Sequence, residues 1–359
     1  MKIELRKDFT WSLVVPTSMG IRITPVNSQT VHTSNTFYMQ ATSAESNVVS
    51  VSSALGLPVK ILTAFVKGSP IARFIKDNLA SRHIAWEAKE VAQGDPWGYR
   101  HQFNIADSGF GSRGPRVYND RAGEVGRTLS IKDFDTERLF GKEGVQILHI
   151  SGLIAALSPG TTNFCLQLAK EAKKYDTRIA FDLNYRASFW KNREKELKDS
   201  FMAIAELSDI LIGNEEDFQL SLGMEGPAEG GKELISNIDS FKQMIEKIRN
   251  RFPSASVFAT TLRQVIDSNE HLWGAIMLEG ENWHVVEPRK IHVLDRIGGG
   301  DGFVGGLLYS VLKGWEAESW IRFGWATGVL ATTAITDYCQ PADEDQVWDI
   351  WHGNARVKR

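Results

Sequence analysis

Asp295-Arg296-Ile297-Gly298-Gly299-Gly300-Asp301-Gly302-Phe303-Val304-Gly305-Gly306 is the stretch from which the rest of the chain can be read. A β-like run, 291–294, leads into it. Behind it Phe303, Leu307 and Val311 recur every fourth residue, the spacing of one helix face. A strand, a glycine turn and a helix in that order aim backbone N–H groups at an anion. Successive glycines can take positive φ and put no side chain in the way of a phosphate. Asp301 stands where the turn enters the helix. A carboxylate there repels a phosphate that is merely held, but it suits a base facing the hydroxyl that attacks that phosphate. An aspartate at this point also caps a helix well. On the local pattern both readings stand.

Outward from this turn, short apolar runs alternate with helical patterns. Residues 59–66, 145–150, 178–183, 209–212 and 256–260 read as strands. Ser69-Pro70 and Ser158-Pro159 each set a capping hydroxyl before a first-turn proline, so helices start there. Strands separated by helices predict βαβ units and a largely parallel sheet covered on both faces. Residues 20–42 and 95–130 break the alternation, being rich in Thr, Ser, Asn, Gly and Tyr with β-like runs at 36–40 and 100–105. They are expected to be pieces of one small β lid, or else two surface hairpins. Residues 223–232 read as a flexible loop.

Two motif look-alikes fail on context. Gly300-x-Gly302-x-x-Gly305 matches a dinucleotide fingerprint, but helix-like sequence with Trp315, Trp320 and Trp325 follows where a second strand is required. Gly226-x-x-x-x-Gly231-Lys232 imitates a phosphate loop. Its next residue is Glu233, an anion in place of the hydroxyl that ligates magnesium, and no strand precedes it.

The 359 residues, 42% hydrophobic and 24% charged, are enough for a large core without disulfides or structural metal. One α/β domain spanning 1–359 is expected. Cys165 and Cys339 fit neither a disulfide framework nor a zinc spacing and read as two core thiols of a reducing compartment. A net charge of −3 with scattered basic residues argues against a nucleic-acid or membrane partner. The first twenty residues hold no secretory apolar segment, and no run approaches a membrane span, so the cytoplasm is the expected location.

With these residues in view, the chain resembles the ribokinase-like (PfkB) carbohydrate kinases over most of residues 17–345. Asp295–Asp301 resembles the family's C-terminal signature, Asp182-Leu183-Asn184-Tyr185-Arg186 its D-x-N-x-R strand end, and Asn214-Glu215-Glu216-Asp217 its N-x-x-E element. Thr260-Thr261-Leu262 resembles the strand end that borders the nucleotide. Trp190 and Tyr118…Asp120-Arg121-Ala122-Gly123 draw the likeness toward 2-keto-3-deoxygluconate kinases.

The resemblance implies a doubly wound, mostly parallel α/β sheet flanked by helices with a small β lid, and a homodimer. It implies phosphoryl transfer from ATP with Mg2+ to a primary hydroxyl of a sugar acid. Asp301 would be the base and Gly298, Gly299 and Gly300 the anion hole. Asn47, Arg121, Arg186 and Asp343 would bind substrate. Asn214 and Thr261 would border ATP, and Asn214 and Asp217 would hold Mg2+ through water. Asp295 stands where relatives often bind a monovalent cation, which leaves potassium (K+) dependence open.

The chain departs from the family's pattern at Thr42-Ser43, where relatives carry two glycines, at Asn119, where they carry tyrosine, and at Asp217, where they carry glutamate. Thr42-Ser43 is expected to narrow or re-polarise the sugar pocket, and with Asn119 it keeps a sugar-binding regulator open among three alternatives. These are a kinase for a neutral ketose such as fructose, a sugar-binding regulator without turnover and, more distantly, a dehydrogenase.

Overall fold

The computed structural model describes residues 3–226 and 238–357, so most of the expected loop at 223–232, with the phosphate-loop look-alike, lies outside the described residues. The described chain forms two compact units. One takes the chain up to Pro16 with Arg127–Gln264 and Trp273–Arg289; the other takes Thr17–Gly126, Val265–Leu272 and the chain from Lys290 on.

The first unit carries strands in the order Asn282–His292 (as far as Arg289), Glu270–Glu279 (from Trp273), Val257–Val265, Ile210–Ile212, Arg178–Asp182, Val145–Ser151, Trp11–Pro16. From Val257–Val265 to Trp11–Pro16 every neighbouring pair is parallel. Strands of this kind read as continuous apolar runs because helices cover both faces. Val145–Ser151 is buried at all seven positions. The crossover helices Pro159–Lys173 and Glu194–Leu207 turn apolar faces inward, through Phe164, Leu168 and Ala172 on one and Leu197, Phe201 and Ile204 on the other. Ser158 caps the first of them by accepting the Thr161 N–H at 3.2 Å, as the Ser-Pro pair implied.

In the second unit the parallel pair Val59–Val66 and Ala85–Val91 is joined by the helix Pro70–Ser81, capped by Ser69. A separate four-stranded sheet runs in the order Phe37–Thr42, Gly20–Pro25, Gln102–Asp107, Arg116–Asp120. The two stretches that broke the alternation thus contribute to one sheet, with Gly20–Pro25 lying parallel to Gln102–Asp107 at its centre. The helix Gly299–Leu312 packs on Ala317–Ala331 and on Ala44–Ala54. Its glycines explain the dinucleotide look-alike. A methyl group on Gly305 would meet the Val48 carbonyl at 2.6 Å, and one on Gly306 the Thr327 hydroxyl at 1.9 Å. These glycines let helices approach; no βαβ unit follows them.

Both cysteines are buried thiols, and burial pushes Cys339 up to about 12. Among the described residues no helix is long and apolar enough to cross a membrane.

Candidate active site

In the second unit, the strand Asn282–His292 ends three residues before Asp295, so the run at 293–294 is not strand. There the amides of Leu294 and Asp295 turn to the Thr332 carbonyl, at 2.8 and 3.2 Å. Gly298 follows at φ 85°, a left-handed conformation, and a Cβ on it would lie 2.0 Å from the Asp337 carbonyl oxygen. Glycine is required on both counts. The helix Gly299–Leu312 begins at once, with Asp301 in its first turn. First-turn amides lack intrahelical acceptors and carry the positive end of the helix dipole. The Gly299 N–H reaches the Arg296 carbonyl only at 3.5 Å, and Gly300 is exposed with open space where a side chain would be. Amides at such a turn can donate to an anion.

Asn47, 3% exposed in the helix Ala44–Ala54, donates its side-chain amide to Asp301 Oδ2 at 2.8 Å. Two expected site residues 254 positions apart are thereby joined. Ser43 caps the Asn47 helix by accepting the Ser46 N–H at 3.1 Å, and the Thr17 hydroxyl lies 2.7 Å from both Ser43 Oγ and Glu45 Oε2. The neighbouring Thr42 hydroxyl donates to Asp337 Oδ2 at 2.8 Å. Thr42 and Ser43 are 2% and 4% exposed. Both hydroxyls are bonded inward, one as a cap and one to Asp337.

Arg121, just past the strand Arg116–Asp120, donates Nη1 to both carboxylate oxygens of Glu124, at 2.8 and 3.0 Å. Glu124 is fully buried and also accepts from the Ser18 hydroxyl at 2.6 Å. Asn119 is exposed on that strand, opposite Asn104. Asp343 is exposed and caps the helix Glu344–His352, accepting the Gln346 N–H at 2.7 Å. Asp295 is wholly buried and accepts from Arg22, whose guanidinium also reaches Asp337. Sequence reasoning missed Arg22, Asp337 and Glu124, because nothing local to an arginine in GIRITP names its partners.

In the first unit, the strand Arg178–Asp182 ends in a loop where Asn184 takes a φ of 37°. Arg186 follows, exposed, donating to the Tyr185 carbonyl at 2.7 Å. Asn214 caps the helix Glu215–Leu222 by accepting the Asp217 N–H at 2.8 Å, and Asp217 Oδ2 accepts the Asn214 N–H at 2.9 Å. Asp217 Oδ1 accepts the Tyr185 N–H at 2.9 Å, tying the Arg186 loop to this cap. The Asn-x-x-Asp spacing is therefore a reciprocal capping box. Burial pushes the Asp217 carboxyl above the usual range despite those two amides and the nearby Arg186 charge. Thr261 is half-buried in the strand Val257–Val265. No cluster of three or more acidic, His or Cys side chains fit to ligate a metal directly occurs among the described residues.

Known proteins share this fold. A 2-dehydro-3-deoxygluconokinase structure from Thermotoga maritima matches with a TM-score of 0.85 at 23% identity, covering 97% of this chain and 100% of its own. An E. coli protein provisionally described as a ribokinase II, solved with ATP and Mg2+, matches with a TM-score of 0.76 at 16% identity, covering 96% and 99%. At these identities the likeness is one of fold. In sequence, a 2-dehydro-3-deoxygalactonokinase of Haloferax volcanii is 25% identical over 347 residues, 94% of this chain and 96% of the relative. The pattern of the pfkB family carbohydrate kinases matches residues 19–342, which takes in the glycine turn, the Ser43 and Asn214 caps and the small sheet, and the chain belongs to that family.

Proposed function

We propose that this carbohydrate kinase moves the γ-phosphoryl group of ATP, with Mg2+, to a primary hydroxyl of a sugar acid of the 2-keto-3-deoxygluconate kind. The observation that supports it is the Asn47–Asp301 hydrogen bond at the mouth of the glycine turn. An amide donor fixes the carboxylate for one direction of proton transfer, which a mere helix cap does not need. Asp301 accepts the hydroxyl proton, and the amides of Gly298–Gly300 stabilise charge developing on the transferred group.

Mg2+, when bound, neutralises the phosphates. Each Asp217 oxygen keeps a lone pair after accepting its amide, so Asn214 and Asp217 fit contact through water and not direct ligation. Thr261 borders the nucleotide. Exposed Arg186 meets the acid's carboxylate with its planar fork.

A neutral ketose is the second reading, favoured by one observation: the Arg121 charge is already met by Glu124. Arg186→Ala separates the two, because a neutral acceptor loses less affinity than an acid.

The direct test is ADP formation from ATP and Mg2+ over a panel of sugars and sugar acids. Turnover with 2-keto-3-deoxygluconate is expected, falling about a thousandfold in Asp301→Asn with ATP affinity kept. An Asp301→Asn enzyme as fast as the original would sink the base assignment. A panel with no acceptor at all would favour a sugar-binding protein without turnover.

A further inference from the structure

Asp295 stands where relatives often hold a monovalent cation, and its surroundings do not suit one. Arg22, in the strand Gly20–Pro25, is 1% exposed and donates Nη2 to Asp295 Oδ2 and Nη1 to Asp337 Oδ1. The second oxygen of Asp295 accepts the Ile297 N–H at 3.0 Å, and the second oxygen of Asp337 accepts the Thr42 hydroxyl at 2.8 Å. All four carboxylate oxygens are thus met by N–H or O–H donors, in side chains 0% and 5% exposed. A bare alkali cation needs a shell of oxygens to replace its water. Here the nearest oxygens point at donors, and a second positive charge beside the guanidinium would be repelled where little water screens it.

The same guanidinium does mechanical work at the glycine turn. Asp295 lies three residues before Gly298, and the Asp337 carbonyl is packed against Gly298 so closely that no Cβ fits. Arg22 therefore clamps together the two segments that shape the turn. The Thr42 hydroxyl lies 2.8 Å from Asp337 and 3.4 Å from Asn47 Oδ1, and Asn47 holds Asp301. Burial disfavours the charged arginine, but Asp337 and Asp295 outweigh it and hold its pKa above the ordinary value, so the charge is permanent.

We propose that Arg22 is a built-in cation, a positioning residue that stands in for a bound potassium ion and makes this kinase independent of monovalent cations. The inference rests on Gly298–Asp301 being the phosphoryl-transfer turn.

The test compares the full-length enzyme in KCl and in tetramethylammonium chloride at equal ionic strength, by ADP formation and by thermal midpoint. The expected change in rate is less than about twofold, with the same midpoint in both salts. Arg22→Ala leaves two buried carboxylates without their partner. Its kcat should fall by about tenfold or more with KM for ATP nearly unchanged, and millimolar guanidinium, but not tetramethylammonium, should restore part of it. Activation of the wild type by K+, or a midpoint that rises only in K+, would overturn the proposal. So would an Arg22→Ala enzyme of full activity without added cation. If that variant does not fold, the wild-type comparison alone decides. If no acceptor is turned over, the midpoint comparison still judges the cation claim apart from the kinase reading.

Discussion

Asn47 spends its amide on Asp301, and the consequence can be measured one side chain at a time. Asn47→Ala removes the donor and frees the carboxylate to swing. Its kcat should fall about ten- to a hundredfold while KM for ATP stays put, seen in steady-state kinetics. His149 offers a residue-scale test of a different kind. It is wholly buried on the strand Val145–Ser151, and burial lowers its pKa to about 3 from an ordinary 6.5. The unfolded chain therefore binds the extra proton first as pH drops. Above pH 6.5 the fold carries no penalty from His149, and stability declines as pH falls from 6.5 toward 3. Urea unfolding at pH 7, 6 and 5 should show a shallower decline in His149→Leu. The turn at Gly298–Asp301 could be picked out because strand-like run, glycines and helix follow one another in sequence, whereas Asn47 entered only through the resemblance. Arg22 and Asp337 were not legible, because their pairing joins positions 315 apart.

At the scale of single elements, the helix Gly299–Leu312 owes its packing to residues that look like a binding motif. Gly306→Ala forces a methyl group to 1.9 Å from the Thr327 hydroxyl and 3.0 Å from the Phe323 carbonyl. The substitution should cost about 1–3 kcal/mol in urea unfolding through overpacking. Ser43→Ala removes a cap and should cost about 1 kcal/mol in the same measurement. Helix starts at Ser69 and Ser158 could be read because a capping hydroxyl and a proline act within a few residues. The strands Glu270–Glu279 and Asn282–His292 went unread. Residues 272–278 of the first form an unbroken apolar run that fits a buried strand as well as a buried helix, while apolar positions in the second are interrupted by polar ones.

For the molecule as a whole, the α/β class followed from alternation, whereas the division into two units depends on contacts between distant segments. The four-stranded sheet leaves Tyr38 and Met39, 50% and 44% exposed, on one edge strand and Val117 and Tyr118, 52% and 66% exposed, on the other. Apolar side chains on open edges invite pairing with another copy. The homodimer expected from the resemblance would give a light-scattering mass twice 40.1 kDa, and Tyr38→Glu should return it to that of one chain. A wild type that elutes at a single-chain mass would remove the dimer.

The fork that Arg22 makes to Asp295 and Asp337 also bears on synthesis. A growing chain exposes its arginine early, yet both acids emerge only after more than 270 further residues have been made. Until then that side chain has no acidic partner for its buried place, and the strand around it gains little by settling. The glycine turn should therefore be among the last parts to set, and a ribosome stalled before residue 337 should carry a nascent chain whose small sheet remains sensitive to protease.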